Sequence, residues 1–295
     1  MRSIKNVCNE FVLISSLVAV MLAACAPQHD PSSSVSAEQI ATDNIIGGSI
    51  VEALDPIARS TVALIILDAS NPQDVQQGGC TGTLLDQNTV LTAAHCIPAR
   101  GAIIVAFTTN SREVNSFTHP KARLVRGVEV HPEAFLNAQK GLQKNYADLA
   151  LLRFEGTVAP GYRPVQLLPQ NRQLRNGMTA ILAGFGLTDG VRETSDDLLR
   201  KAAVSISNAQ FSPTETLMDE TKGRGSCRGD SGGPAFVVLN GATLQFGVLS
   251  RGHNDPSNTC RGYSIYTNIN AHMSWINAAK LKLQNQASTS VVAAK

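Results

Sequence analysis

The stretch Cys227-Arg228-Gly229-Asp230-Ser231-Gly232-Gly233-Pro234 sets one serine among residues with almost no side chain. Glycine permits the close backbone approach that such a serine needs if its hydroxyl is to meet another molecule. A serine hydroxyl is inert at neutral pH. To attack, it needs an imidazole to take its proton and a buried carboxylate to hold that imidazole in the right tautomer. Both lie upstream. Leu91-Thr92-Ala93-Ala94-His95-Cys96 places a histidine after a strand-like run, and Asp148-Leu149-Ala150-Leu151-Leu152 places an acid before one.

The chain around these segments reads as β. Short apolar runs rich in Val, Ile, Leu and Thr predict strands at 61–67, 89–93, 103–107, 124–131, 149–154, 179–185, 234–239, 243–250 and 264–267, separated by Gly, Asn, Asp and Pro. Many short strands without intervening helical periods indicate antiparallel sheets closed into barrels or sandwiches. The last element differs. Over 270–283, Met273, Ile276, Ala279, Lys280 and Leu283 fall near one helical face, with Asn270 as the expected N-cap and fraying expected over 284–295.

The segments Thr92-Ala93-Ala94-His95-Cys96, Asp148-Leu149-Ala150-Leu151-Leu152 and Gly229-Asp230-Ser231-Gly232-Gly233-Pro234 resemble the three signature blocks of the chymotrypsin/trypsin-like serine proteases. They stand in that family's chain order, His, then Asp, then Ser. Ile45-Ile46-Gly47-Gly48 ahead of them and a helix containing Trp275 behind extend the likeness from residue 45 to about 283. The resemblance implies an all-β fold of two six-stranded antiparallel barrels, about 45–160 and 161–283, with a C-terminal helix and the active site between the barrels. It makes the chain a serine endopeptidase acting on protein or peptide substrates. His95 becomes the general base, Asp148 its orienter and Ser231 the nucleophile, while the N–H groups of Gly229 and Ser231 form the oxyanion hole. No cofactor or metal is called for. Isolated histidines such as His119, His131, His253 and His272 read as structural polar groups.

The likeness also carries expectations about activation and specificity. Ile45 is the expected new N-terminus after a cut at Asn44–Ile45, its ammonium pairing with Asp230. Relatives often have Arg or Lys where Asn44 stands, so the activating protease is not expected to be trypsin-like. Gly225 stands where trypsins carry a pocket-floor Asp, and Gly252 and Ser264 line the same pocket. With no carboxylate evident there, a buried substrate cation would go uncompensated, so a small or apolar residue is expected before the scissile bond, although Asp255 could reach in from the following loop. Ser250-Arg251-Gly252 should pair with the substrate backbone as an added strand. Three departures leave the pocket walls open: Arg251 where many relatives have Trp, Phe185-Gly186 where they have Trp-Gly, and no third disulfide near 210–225.

The first 44 residues read as an address and a precursor segment. Arg2 and Lys5 precede an apolar run from Phe11 to Met21, too short to span a bilayer, and then Leu22-Ala23-Ala24-Cys25. That site resembles the lipobox of bacterial lipoproteins, which implies cleavage after residue 24, acylation of Cys25, and a tether or propeptide over 25–44. Ala26 after the cysteine favours the outer membrane within that resemblance. Residues 26–44 contain no cysteine, so a cut before Ile45 would release the catalytic domain from the membrane.

Of six cysteines, Cys80, Cys96, Cys227 and Cys260 remain after the leader, and counting leaves three pairings open. Resemblance selects Cys80–Cys96 and Cys227–Cys260, and the lack of a close C-x2-C pair argues against zinc. With 25 Lys and Arg against 23 Asp and Glu and no basic cluster, nucleic acid is not an expected partner. A non-catalytic binding protein on the same scaffold is the competing reading. An α/β-hydrolase is disfavoured because strands and helices do not alternate.

Overall fold

The structure, a computed structural model, describes residues 45–67 and 79–293, with residues 287–293 described by backbone alone. After a short β1 (Ser49–Ile50), strands β2 (Thr61–Leu67), β3 (Gly79–Leu84), β4 (Thr89–Thr92), β5 (Ala102–Ala106), β6 (Ala122–Val130) and β7 (Ala150–Phe154) follow. They close into an antiparallel barrel in the order β2-β3-β4-β7-β6-β5. Strands β8 (Thr179–Gly184), β9 (Arg200–Ser212), β10 (Glu215–Asp219), β11 (Pro234–Leu239), β12 (Ala242–His253) and β13 (Tyr263–Asn268) close a second six-stranded ring, and β1 adds to β9 at its rim. A single helical turn, α1 (Leu136–Gln139), interrupts the first barrel's connections, and α2 (Met273–Ala293) ends the chain.

The two faces of β2 show how the barrels pack. Val62 and Leu64 point into the first barrel with Leu91, Val105, Phe107, Leu152 and Phe154, whereas Ala63 and Ile65 face a second apolar cluster. That cluster draws Ile104 and Ala106 from the first barrel and Ala183, Phe185 and Phe236 from the second, so it is the seam between them. Small residues predominate on the first barrel's side of the seam, which lets two curved sheets approach closely. The second barrel has its own core around Leu182, Ile206, Met218, Phe246 and Tyr266. Inside the first, Phe107 meets Phe154 and Tyr162 edge to face at centroid distances of 5.5 and 5.0 Å, a preferred aromatic geometry.

Four strands went unread in the sequence, β1, β3, β9 and β10, as did the turn α1. In β3, Gly79-Cys80-Thr81-Gly82 imitates a turn. In β9, the buried alternation rests on Ala202, Val204 and Ile206, with Ala203 as well as serines facing outward, a weak signal for a half-buried strand. The terminal helix buries Ile276, Ala279 and Leu283 against the first barrel, although it follows the last strand of the second. Its entry turn, Ile269–His272, is capped by Asn268, whose side chain accepts the Asn270 N–H, so the cap is two residues earlier than expected. The helix continues to Ala293, past the predicted end at Leu283, because no Gly or Pro interrupts it.

Candidate active site

Register brings the histidine and the acid together. Thr92 of β4 lies opposite Ala150 of β7, so the end of β4 adjoins the start of β7. His95 follows β4 in the turn Ala94–Cys96, and Asp148 precedes β7. Asp148 is 0% exposed, and its carboxylate accepts three hydrogen bonds: the His95 backbone N–H at 3.0 Å, His95 Nδ1 at 2.8 Å, and the Ser250 hydroxyl at 2.7 Å. The first two fix both the position and the tautomer of the imidazole. The third comes from β12, so the acid is shared between the barrels.

Ser231 sits in the loop before β11, clamped onto the first barrel. Its carbonyl accepts the Thr81 N–H at 2.8 Å and lies 3.5 Å from Cys96 Sγ, directly beside the histidine turn. Thr81 Oγ1 donates to the Gly229 carbonyl at 3.1 Å and accepts the Phe185 N–H at 3.2 Å. Gly232 lies so close to the strand end before His95 that a Cβ there would come within 2.6 Å of the Thr81 carbonyl oxygen and 2.9 Å of the Ala93 nitrogen. Only glycine allows that approach. Thr81 is a positioning residue that sequence reading missed, because Cys80-Thr81-Gly82 drew notice only for its cysteine. Among the described residues, no backbone acceptor takes the N–H of Gly229 or Ser231.

Cys80–Cys96 and Cys227–Cys260 are both formed, joining β3 to the histidine turn and the serine loop to the segment before β13. From Ser250 onward β12 has only β13 beside it, pairing Arg251 with Ile265 and Gly252 with Ser264, so its other edge is open. The Arg251 side chain is anchored beside this edge. It forms an ion pair with buried Glu215 at 2.8 Å and lies 3.7 Å from the Tyr146 ring centroid. His131 packs on His272 and on Trp275, the two histidines lie 3.2 Å apart between ring nitrogens, and burial pushes His272 down to about 4.

Among the described residues, no cation pairs with two carboxyls buried behind the serine loop. Asp230, 1% exposed, accepts the N–H groups of Gly186 and Cys227, each at 2.8 Å. Ile45 and Ile46 are buried too, and Ile46 bridges to Gly225, whose N–H donates to the Ile46 carbonyl at 2.9 Å. The second carboxyl is a correction. Asp255 was the one carboxylate expected to reach toward the pocket beside Ser231, yet Glu220, 2% exposed, lines it together with Gly252, Tyr263 and Asp255. Glu220 lies five residues before Gly225, the position where an acid was sought, and enters the space left by that glycine. A Cβ at Gly225 would come 2.7 Å from Glu220 Cβ and overlap the rest of its side chain. Burial pushes both Asp230 and Glu220 up to about 7.

The sequence profile of the trypsin family fits residues 67–276. The chain belongs to the trypsin family. It is 30% identical to the chymotrypsin of Phaedon cochleariae over 282 residues, which cover 90% of this chain and 95% of that one. To human chymotrypsin-like elastase family member 1 it is 30% identical over 67% of its own length and 80% of the relative's. The venom protease of Bombus pensylvanicus is 27% identical over 72% of this chain and 90% of that one. Membership makes the chain a serine endopeptidase, a hydrolase. These animal relatives lend no support to a bacterial, lipoprotein-type leader, and residues 1–44, which carry that expectation, lie outside the described residues.

Thr81→Val keeps the side chain's shape but leaves the Gly229 carbonyl and the Phe185 N–H without their partner. Denaturant unfolding should show a loss of about 1–3 kcal/mol, since each is a buried polar group deprived of its bond. The two raised carboxyls set a slope in pH. In the fold they hold their protons up to about 7, whereas unfolded they release them near 3.8 and 4.5. Between those limits the fold binds more protons, so the uncut chain loses stability as pH rises from about 4 to 7. Melting curves across that window should show a shallower slope for Asp230→Asn.

Proposed function

We propose that the chain is an exported serine endopeptidase made as an inactive precursor and activated by a cut at Asn44–Ile45. The observation that supports this reading most is the shared carboxylate of Asp148, which holds His95 beside the clamped Ser231 loop. With Nδ1 committed to Asp148, Nε2 is the ring nitrogen that takes the Ser231 proton as the hydroxyl attacks a substrate carbonyl. The tetrahedral oxyanion settles on the N–H groups of Gly229 and Ser231. His95 then returns the proton to the departing amine, and water repeats the sequence to free the acyl group. The open edge at Ser250-Arg251-Gly252 holds the substrate backbone as an added strand, and the pocket lined by Gly252 and by Glu220, against which Gly225 and Ser264 pack, takes the side chain before the scissile bond.

Activation follows from charge. The Asp230 carboxylate is fully buried and has two amide donors but no cation. A new ammonium at Ile45, already buried nearby in chain terms through the Ile46–Gly225 bridge, would supply one and fix the loop that carries Gly229. An activating protease is then a required partner.

Export rests on the leader. Acylation of Cys25 would hold the precursor at a membrane, in the outer membrane or at the cell surface, and the cut would free the enzyme into the periplasm or medium. Membrane fractionation and mass spectrometry of the expressed precursor should find a lipid on Cys25 and a soluble chain beginning at Ile45; an unmodified Cys25 or a leader cut elsewhere overturns the lipid reading. For the chemistry, the cut chain should label with a fluorophosphonate and the Ser231→Ala chain should not. Asp148→Asn should lower kcat about 10⁴-fold by leaving the wrong imidazole tautomer. An unlabelled, inactive cut chain would favour a binding role instead.

A further inference from the structure

We propose that the Glu220 carboxylate selects a lysine or arginine side chain on the substrate residue before the scissile bond. This rests on the endopeptidase reading and replaces the small or apolar preference drawn from Gly225. Glu220 lines the same cleft as Ser231, a space of about 590 Å³. Its Oε1 is saturated: it accepts the Ser226 N–H at 3.0 Å, the Ser226 hydroxyl at 2.9 Å and the Ser264 hydroxyl at 2.6 Å. Its Oε2 accepts no bond from the described residues, so one carboxylate oxygen is left for whatever enters the cleft.

Nothing in the fold supplies the opposite charge. No ion pair among the described residues includes Glu220. Two arginines border the cleft, but both are engaged elsewhere: Arg228 with Glu193, and Arg251 with Glu215. Asp255 also borders it, and its oxygens are occupied by Thr259, Cys260 and Arg261 in its own loop. A buried carboxylate held by neutral hydroxyls, with one free oxygen, is complementary to a cation brought in by the substrate. A floor of this polarity is a poor partner for an apolar side chain, which would bury that oxygen unpaired. Gly225 belongs to the same device, because any side chain there would displace Glu220.

The test uses the full chain with residues 40–44 replaced by Asp-Asp-Asp-Asp-Lys, cut after that sequence by enteropeptidase, beside a Ser231→Ala control treated alike. Fluorogenic peptides differ only in Arg, Lys, Phe or Ala before the cleaved bond. The Arg and Lys peptides should exceed the others in kcat/KM by at least about 100-fold. Glu220→Gln, which keeps the shape and removes the charge, should erase that ratio by lowering kcat/KM for the Arg and Lys peptides. A Glu220→Ala, Gly225→Asp double variant, which moves the carboxylate one wall over, should restore it, an outcome that a merely structural role for Glu220 does not produce. Preference for Phe or Ala in the parent enzyme, or an unchanged ratio in Glu220→Gln, overturns the proposal. Failure to label with fluorophosphonate and to cut any peptide would instead sink the endopeptidase reading beneath it.

Discussion

The Asp148 carboxylate is the constraint on which the rest depends. An ionisable acid removed from water is stable only if its oxygens are fully bonded, and here the partners come from both barrels: two groups of His95 on one side and the Ser250 hydroxyl on the other. The two barrels therefore have one acceptable relative position, the one that completes this set. The apolar seam supplies the attraction between them, but such a seam tolerates sliding. The directional bonds at Asp148 and Thr81 remove that freedom.

The second barrel's serine loop is held by the same logic with weaker groups. Thr81 ties the Gly229 carbonyl, the Phe185 amide and, through its backbone N–H, the Ser231 carbonyl. The Cys80–Cys96 bridge then links the strand carrying Thr81 to the turn carrying His95. His95 and the Ser231 loop thus sit on pieces locked by covalent and hydrogen bonds at several points, which is how a site keeps its geometry.

Much of this was legible in the sequence because the chemistry needs particular residue types in compact runs. His95, Asp148 and Ser231 stood inside recognisable segments, and their order along the chain pointed to the barrel fold. Strands such as β2 and β11 were readable from dense β-branched and apolar runs. Glu220 was not legible. Its place in the cleft depends on the absence of a side chain five residues later and on hydroxyls from Ser226 and Ser264, relations that only folding creates. Strand β9 was hidden for a different reason, since its buried face is built from Ala202, Val204 and Ile206 while Ala203 on the outer face blurs the alternation. Thr81 was concealed by glycines on a strand that looked like a turn.

The bridge between Ile46 and Gly225 joins the chain ahead of β1 to the segment that leads into the serine loop. Gly225 is also the residue whose missing side chain admits Glu220. One glycine therefore has two tenants, the chain's own leading edge on one flank and an acid on the other. A side chain added here would press on both neighbours at once, so the two contacts cannot be altered independently.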